Sequence, residues 1–146
     1  MKPLYIFDLD GTLALIGHRR HFVENRANKW DEFHAACVDD KPNPAVIDVY
    51  RQLARNADVW IFSGRSDAVH AETVAWLDRH GVEFDALLMR KSGDHTPDDV
   101  LKRQWLDDML VDDRERLAAT FDDRDRVVKM WRDAGITCFQ VAPGAF

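Results

Sequence analysis

Five short apolar runs punctuate the chain, and three of them end abruptly in polar residues. The first, Leu4-Tyr5-Ile6-Phe7, breaks off at Asp8 and Asp10 with Gly11 behind them. The second runs from Asp58 to Phe62 and ends in Ser63-Gly64-Arg65, and the third covers Phe84 to Met89. The fourth, Arg116 to Phe121, stops at Asp122-Asp123, and the fifth spans Thr137 to Val141. Short apolar runs bounded by turn residues read as strands covered on both faces. The stretches between them carry helical spacing. A helix from Pro44 to Arg55 follows an Asn43 cap and turns Val46, Ile47, Tyr50, Leu53 and Ala54 inward. A second runs from the Ser66 cap to His80, where Gly81 ends it. The third opens on Thr96-Pro97-Asp98-Asp99 and carries Val100, Leu101, Trp105, Leu106 and Met109 inward. The last, Arg124 to Ala134, buries Val127, Val128 and Trp131 before Gly135. This alternation predicts an α/β fold: a Rossmann-like parallel sheet of about five strands with helices on both faces.

Residues 12–43 lack a strand signal and read as a loop with one or two small helices, at most a small cap inserted into a single domain of residues 1–146. That length suffices for one substantial core. The composition, 46% apolar and 32% charged, is that of an ordinary soluble domain. No run approaches a membrane span. The first apolar segment breaks too early for a signal peptide, so Met1 is expected to start a cytoplasmic protein. Cys37 and Cys138 are far apart with no CxxC, which suggests structural thiols. A formal charge of −6 argues against a broad basic face coating nucleic acid, but leaves room for a local phosphate site.

Chemistry enters through the strand ends. In an open parallel sheet the carboxyl ends of the strands share one edge, and ligands bind there. Asp8, Asp10, Asp122 and Asp123 are expected to converge on it, and clustered carboxylates are tolerable only around a cation. All-oxygen ligation suits Mg²⁺. Ser63, Arg65 and a lysine would supply the donors a phosphoryl group needs. Lys102, one helical turn after Asp98, competes for the lysine role with Lys91. Plainer readings stand beside these: Asp122-Asp123 and Asp98 also suit helix starts, Ser63 suits a turn, and His18-Arg19-Arg20-His21 suits a solvated basic face. Arg90 and Lys91 read best as a solvated loop. The tryptophans read as core, apart from Trp30, for which base stacking stays open.

Asp8-Leu9-Asp10-Gly11-Thr12-Leu13 resembles the first motif of the haloacid dehalogenase (HAD) superfamily, Ser63 its second, Lys102 its third and Asp122-Asp123 its fourth. The order and element context match over nearly the whole chain. A closer resemblance is to the 3′-phosphatase domain of phage-type polynucleotide kinase/phosphatase. It is carried by Asp8 to Leu13 with Arg19, by Ser63-Gly64-Arg65, by Asp98 to Lys102, and by Phe121 to Arg124 with Val127 to Arg132. The resemblance implies a Mg²⁺-dependent phosphomonoesterase in which Asp8 is the nucleophile and forms an aspartyl phosphate. Asp10 then moves protons, a role expected to need a raised pKa in one state. It further implies metal held by Asp8, Asp10, Asp122 and Asp123, with either of the last two in direct contact. Ser63 and Gly64 would bind phosphate, Lys102 would neutralise charge, Arg65 and Arg19 would serve the phosphate, and Asp98 would orient Lys102. The implied substrate is the 3′-phosphate end of DNA or RNA; the alternative is a free nucleotide or another small metabolite. No G-x-x-x-x-G-K-S/T loop occurs, so a stand-alone phosphatase is expected, with a separate kinase or ligase as a partner.

Overall fold

The computed structural model describes all residues from Met1 to Phe146. Strand β1 (Leu4–Phe7) is followed by a tight turn and a two-residue strand β2 (Ala14–Leu15). A 3-10 turn at Gly17–Phe22, helix α1 (Trp30–Ala35) and a second 3-10 turn at Ala36–Asp39 lead into β3 (Lys41–Pro42). Then come α2 (Pro44–Ala54), β4 (Asp58–Ser66), α3 (His70–Arg79), β5 (Ala86–Arg90), α4 (Asp98–Asp108), α5 (Val111–Arg116), β6 (Leu117–Asp122), α6 (Asp125–Asp133) and β7 (Cys138–Gln140). The main sheet has the order β5-β4-β1-β6-β7, and all its pairings are parallel. The α/β architecture expected from the strand–helix alternation is therefore present. The chain winds outward from β1 in one direction, returns, and winds outward in the other. Such a reversal leaves a crevice at the carboxyl ends of the central strands.

Alternation along each strand builds two cores. Phe7, Val59 and Ile61 face Ile47 and Tyr50 of α2 and Trp76 and Leu77 of α3. Leu4, Ile6 and Phe62 face Leu106 of α4 and Val127, Val128 and Trp131 of α6. With both faces covered, β1 is apolar through its last residue, Phe7, which is why the acids just beyond it stand out.

Several local readings change. Val100 lies 44% exposed, and Ala54 is also exposed, each just off the apolar stripe of its helix. Trp60 and Trp105 are only half-buried. Helix α4 begins at Asp98 with Pro97 at its cap, while the Thr96 hydroxyl donates to Asp94. Asn43 caps α2 by position without a side-chain hydrogen bond. The fourth strand starts at Leu117, because Val111–Arg116 folds as α5. The antiparallel pairing of β2 with β3 is new: it clasps the two ends of residues 16–40 beside the turn after β1.

Candidate active site

The end of β1 lies between β4 and β6, and the Asp8 amide donates to the carbonyl of Phe121 at 2.9 Å. This fixes Asp8 beside Asp122 and Asp123. Carboxylate oxygens of these three buried acids lie within 4.8 Å of one another. Lys102 reaches them from α4, with Nζ 2.8 Å from Asp8 Oδ1 and 2.8 Å from Asp122 Oδ2. Thr12 Oγ1 donates to Asp8 Oδ2 at 2.9 Å, and Asp122 Oδ1 accepts from the amides of Asp123 and Arg124. Lys102, and not the exposed Lys91, is the lysine at this strand edge.

Burial pushes the Asp8 carboxyl well up, and the Asp122 charge adds to it; the Lys102 ammonium opposes both. Asp123 is also raised, by burial first and then by Asp122. Lys102 moves the other way: burial would lower it, but Asp122 and Asp8 hold it above its ordinary value. With all three carboxylates ionised, one ammonium leaves two negative charges, which one divalent cation would balance. All-oxygen donors of this kind fit Mg²⁺, which takes one or a few carboxylates and keeps waters.

Gly11 is part of this geometry. Its φ of +82° is left-handed, and a Cβ there would run into the Asp123 carboxylate. Gly11→Ala is expected to displace Asp123 and so weaken Mg²⁺ binding and activity together, visible as a raised half-saturating Mg²⁺ concentration.

The Asp10 side chain does not join the other acids, so any contribution of Asp10 to a metal would come through its backbone carbonyl. Its Oδ1 accepts from Arg19 Nη2 at 2.6 Å and from Arg65 Nη2 at 2.5 Å. Burial alone would raise its pKa, yet the Arg65 and Arg19 guanidiniums outweigh that and hold the carboxyl far below the usual carboxylate range. The raised value expected for Asp10 is thus absent from the substrate-free chain. Both arginine side chains are fully buried and engaged with carboxylates, so they face Asp10 where direct phosphate contact was expected. Arg19 rather than Arg20 points inward, which also removes the solvated-face reading for that residue. Arg65 gets there through a bulge: Ser63 pairs with Met89 and Ser66 with Arg90, leaving Gly64 and Arg65 unpaired on β4.

Ser63 is buried at the same edge, its Oγ accepting from the Arg65 amide at 3.1 Å. Gly64 lies against the Asp98 carboxylate, which leaves no space for a Cβ. Asp98 makes no hydrogen bond to Lys102. It bonds Arg90 at 2.6 Å and Arg124 at 2.7 Å, so its direct partners are arginines, although the nearby Lys102 charge helps to lower its pKa against burial. Arg90 also donates to the carbonyls of Gly64, Asp94 and Thr96, tying down the loop that read as solvated. Trp30 is 42% exposed and packs edge-on against Phe33, whose ring carries the Arg19 guanidinium at 4.4 Å.

Asp40, in the polar stretch just before Lys41-Pro42, has a side chain fully buried between Arg19 and Arg65.

A five-stranded parallel sheet with this acid and lysine arrangement at its central strand ends defines a phosphatase domain of the HAD type. Comparison with known proteins narrows the class. The family model described as the polynucleotide kinase PNKP phosphatase domain matches residues 2–146, and the chain belongs to that family. A chain from Autographa californica nuclear polyhedrosis virus, whose name describes a bifunctional polynucleotide kinase/RNA ligase, is 32% identical over 138 residues. That alignment spans 92% of this chain and 18% of the viral one. A chain in the structure of the Pnkp1/Rnl/Hen1 RNA repair complex superposes with a TM-score of 0.82 at 30% identity, covering 99% of this chain and 44% of that one. The class C acid phosphatase of Bacillus anthracis, with tungstate bound, shares the fold at a TM-score of 0.66 and 16% identity, covering 99% of this chain and 68% of that one. The chain thus spans less than half the length of the first two relatives. No helix is long and apolar enough to cross a membrane.

Proposed function

We propose that the chain is a Mg²⁺-dependent phosphomonoesterase that works through an aspartyl phosphate and acts on the 3′-phosphate end of a DNA or RNA strand. The supporting observation is the division of labour at the end of β1, where Asp8 faces Lys102 and the acids while Asp10 is held apart by two arginines. Asp8 attacks phosphorus in line; the bond from phosphorus to the strand's 3′ oxygen breaks, and that oxygen takes a proton from Asp10. Asp10 then removes a proton from water, which attacks the acyl phosphate, releasing inorganic phosphate and restoring Asp8. In the free chain Asp10 is ionised and suited to the second step. A phosphate dianion entering beside it disfavours that ionised form, so the protonated form belongs to the substrate complex. Lys102 offsets charge on the transferring group, and Ser63 with the Gly64 amide orients its oxygens. Asp8, Asp122 and Asp123 would hold Mg²⁺, which supplies positive charge that screens a carboxylate nucleophile from an anionic substrate.

The choice of a polynucleotide rests on the family and on the relatives' names. Residues 12–43 would form a small cap that leaves the site open to a strand end. The RNA repair complex supports a kinase or ligase as a partner, and the viral relative's name joins kinase and ligase in one chain. Phosphate release from a 3′-phosphorylated oligonucleotide and from a nucleoside 3′-monophosphate, each with and without Mg²⁺, tests the reading. The oligonucleotide should be preferred at least about tenfold in kcat/KM, a difference of about 1.4 kcal/mol in transition-state binding. Equal use of both would replace it with a nucleotide or small-metabolite phosphatase. Undiminished release in EDTA would remove the metal from the scheme.

A further inference from the structure

We propose that Asp40 is a positioning residue for proton transfer: it locks Arg19 and Arg65 so that they pin one oxygen of Asp10 and leave the other free to carry the proton. The inference rests on the reading of Asp10 given above.

Asp40 Oδ2 accepts from Arg19 Nη2 at 2.7 Å and from Arg65 Nη2 at 3.2 Å, and the same two nitrogens donate to Asp10 Oδ1. Two carboxylate oxygens and two guanidinium nitrogens therefore close a ring. Asp40 forms its inner corner and Asp10, with 17% of its side chain exposed, the outer one. Asp10 Oδ1 is held by two charge-assisted hydrogen bonds, whereas Oδ2 has no partner in the chain. A proton on Oδ1 would have to displace two cations, so Oδ2 is the oxygen that exchanges one with substrate or water.

The remaining contacts prevent the arginines from turning. Arg19 Nε donates to Asp40 Oδ1 at 2.8 Å, its Nη1 reaches the Phe33 carbonyl, and Arg65 Nη1 donates to Thr73 Oγ1 at 3.0 Å. Asp40 is itself fixed: its carbonyl accepts from Trp76 Nε1 at 2.9 Å, and the β2–β3 clasp begins at the next residue. His18 Nε2 lies 2.6 Å from Asp40 Oδ1 at the solvent edge of the ring. Without Asp40, two buried guanidiniums would share the single charge of Asp10, and beyond Asp10 itself Arg19 would keep only its bond to the Phe33 carbonyl and Arg65 only its bond to Thr73.

Leaving-group dependence tests this, because an alkoxide needs a proton as it departs and p-nitrophenolate does not. In Asp40→Asn, the first-turnover rate of leaving-group release from a 3′-phosphorylated oligonucleotide should fall about 10²-fold, while the first-turnover burst of p-nitrophenolate from p-nitrophenyl phosphate slows less than about threefold, the later hydrolysis being common to both. Asp10→Asn should show the same selectivity, and Asp40→Asn should add little to it in the double variant. A loss equal on both substrates, or none, would overturn the inference while Asp10→Asn still reports on the underlying reading. If Asp10→Asn left the oligonucleotide rate intact, that reading would fail first. Thermal melting establishes that Asp40→Asn is folded. If it is not, the exposed His18→Ala decides by the same criterion: a loss confined to the oligonucleotide supports the role, and a uniform loss or none refutes it.

Discussion

Asp8→Asn should lower turnover by about 10⁴-fold or more, because on the proposed mechanism Asp8 forms the acyl phosphate while Asp10 is held by two arginines. The same substitution should make the cation-free protein more stable. Asp8 is buried beside Asp122 and Asp123, and its carboxyl is held well above the ordinary range by burial and by Asp122. A carboxyl raised in the folded state binds its proton more tightly there than in the unfolded chain. Stability is therefore lost as pH rises from about 4, the unfolded value, toward the raised one. Asparagine keeps the size and can still accept from Lys102 without carrying the charge. In EDTA at neutral pH the variant should melt above wild type and show a flatter loss of stability with rising pH. Adding Mg²⁺ should narrow or reverse the difference, since cation binding stabilises the wild type more. Residual turnover near wild type would remove Asp8 as nucleophile; a lower melting point in EDTA would mean that the three acids are not in conflict.

That conflict explains what could be read from the sequence and what could not. Acids that interrupt an apolar run are conspicuous, so Asp8, Asp122 and Asp123 were legible as a cluster at one sheet edge. Asp10 was legible as a residue but not as a geometry, because strand periodicity does not say that the turn after Asp8 swings the next carboxylate toward two arginines. Val100 was misplaced for a related reason. Helix α4 turns Leu101, Lys102 and Leu106 inward, and a lysine on the buried stripe looks like surface until its carboxylate partners are known. Asp40 and Arg90 carried no periodic or motif signal: Asp40 takes its role from Arg19 and Arg65, 21 and 25 residues away, and Arg90 from Gly64 together with the nearby Asp94, Thr96 and Asp98.

Lys102→Met tests the charge balance from the other side. Methionine preserves the buried stem but removes the ammonium that bonds Asp8 and Asp122 at 2.8 Å each. Deleting one partner of a buried ion pair destabilises by about 3–5 kcal/mol, because the remaining charge is left uncompensated. In EDTA the melting temperature should therefore drop by roughly 6–20 °C at about 2–4 °C per kcal/mol. Activity should fall about 10³-fold, the scale of losing one preorganised charge at a transition state. Both effects have one electrostatic origin, so they should separate when a second source of positive charge is supplied. Millimolar Mg²⁺ should restore much of the stability, because it neutralises the same carboxylates. It should restore little of the activity, because it cannot occupy the position of Nζ against the transferring phosphate. Adding Asp8→Asn to Lys102→Met should likewise recover stability in EDTA, giving a coupling that single substitutions at exposed ion pairs do not produce. A Lys102→Met protein that melts like wild type in EDTA would mean that the ammonium compensates no net negative charge at this strand edge, and the requirement for a cation there would lose its physical basis.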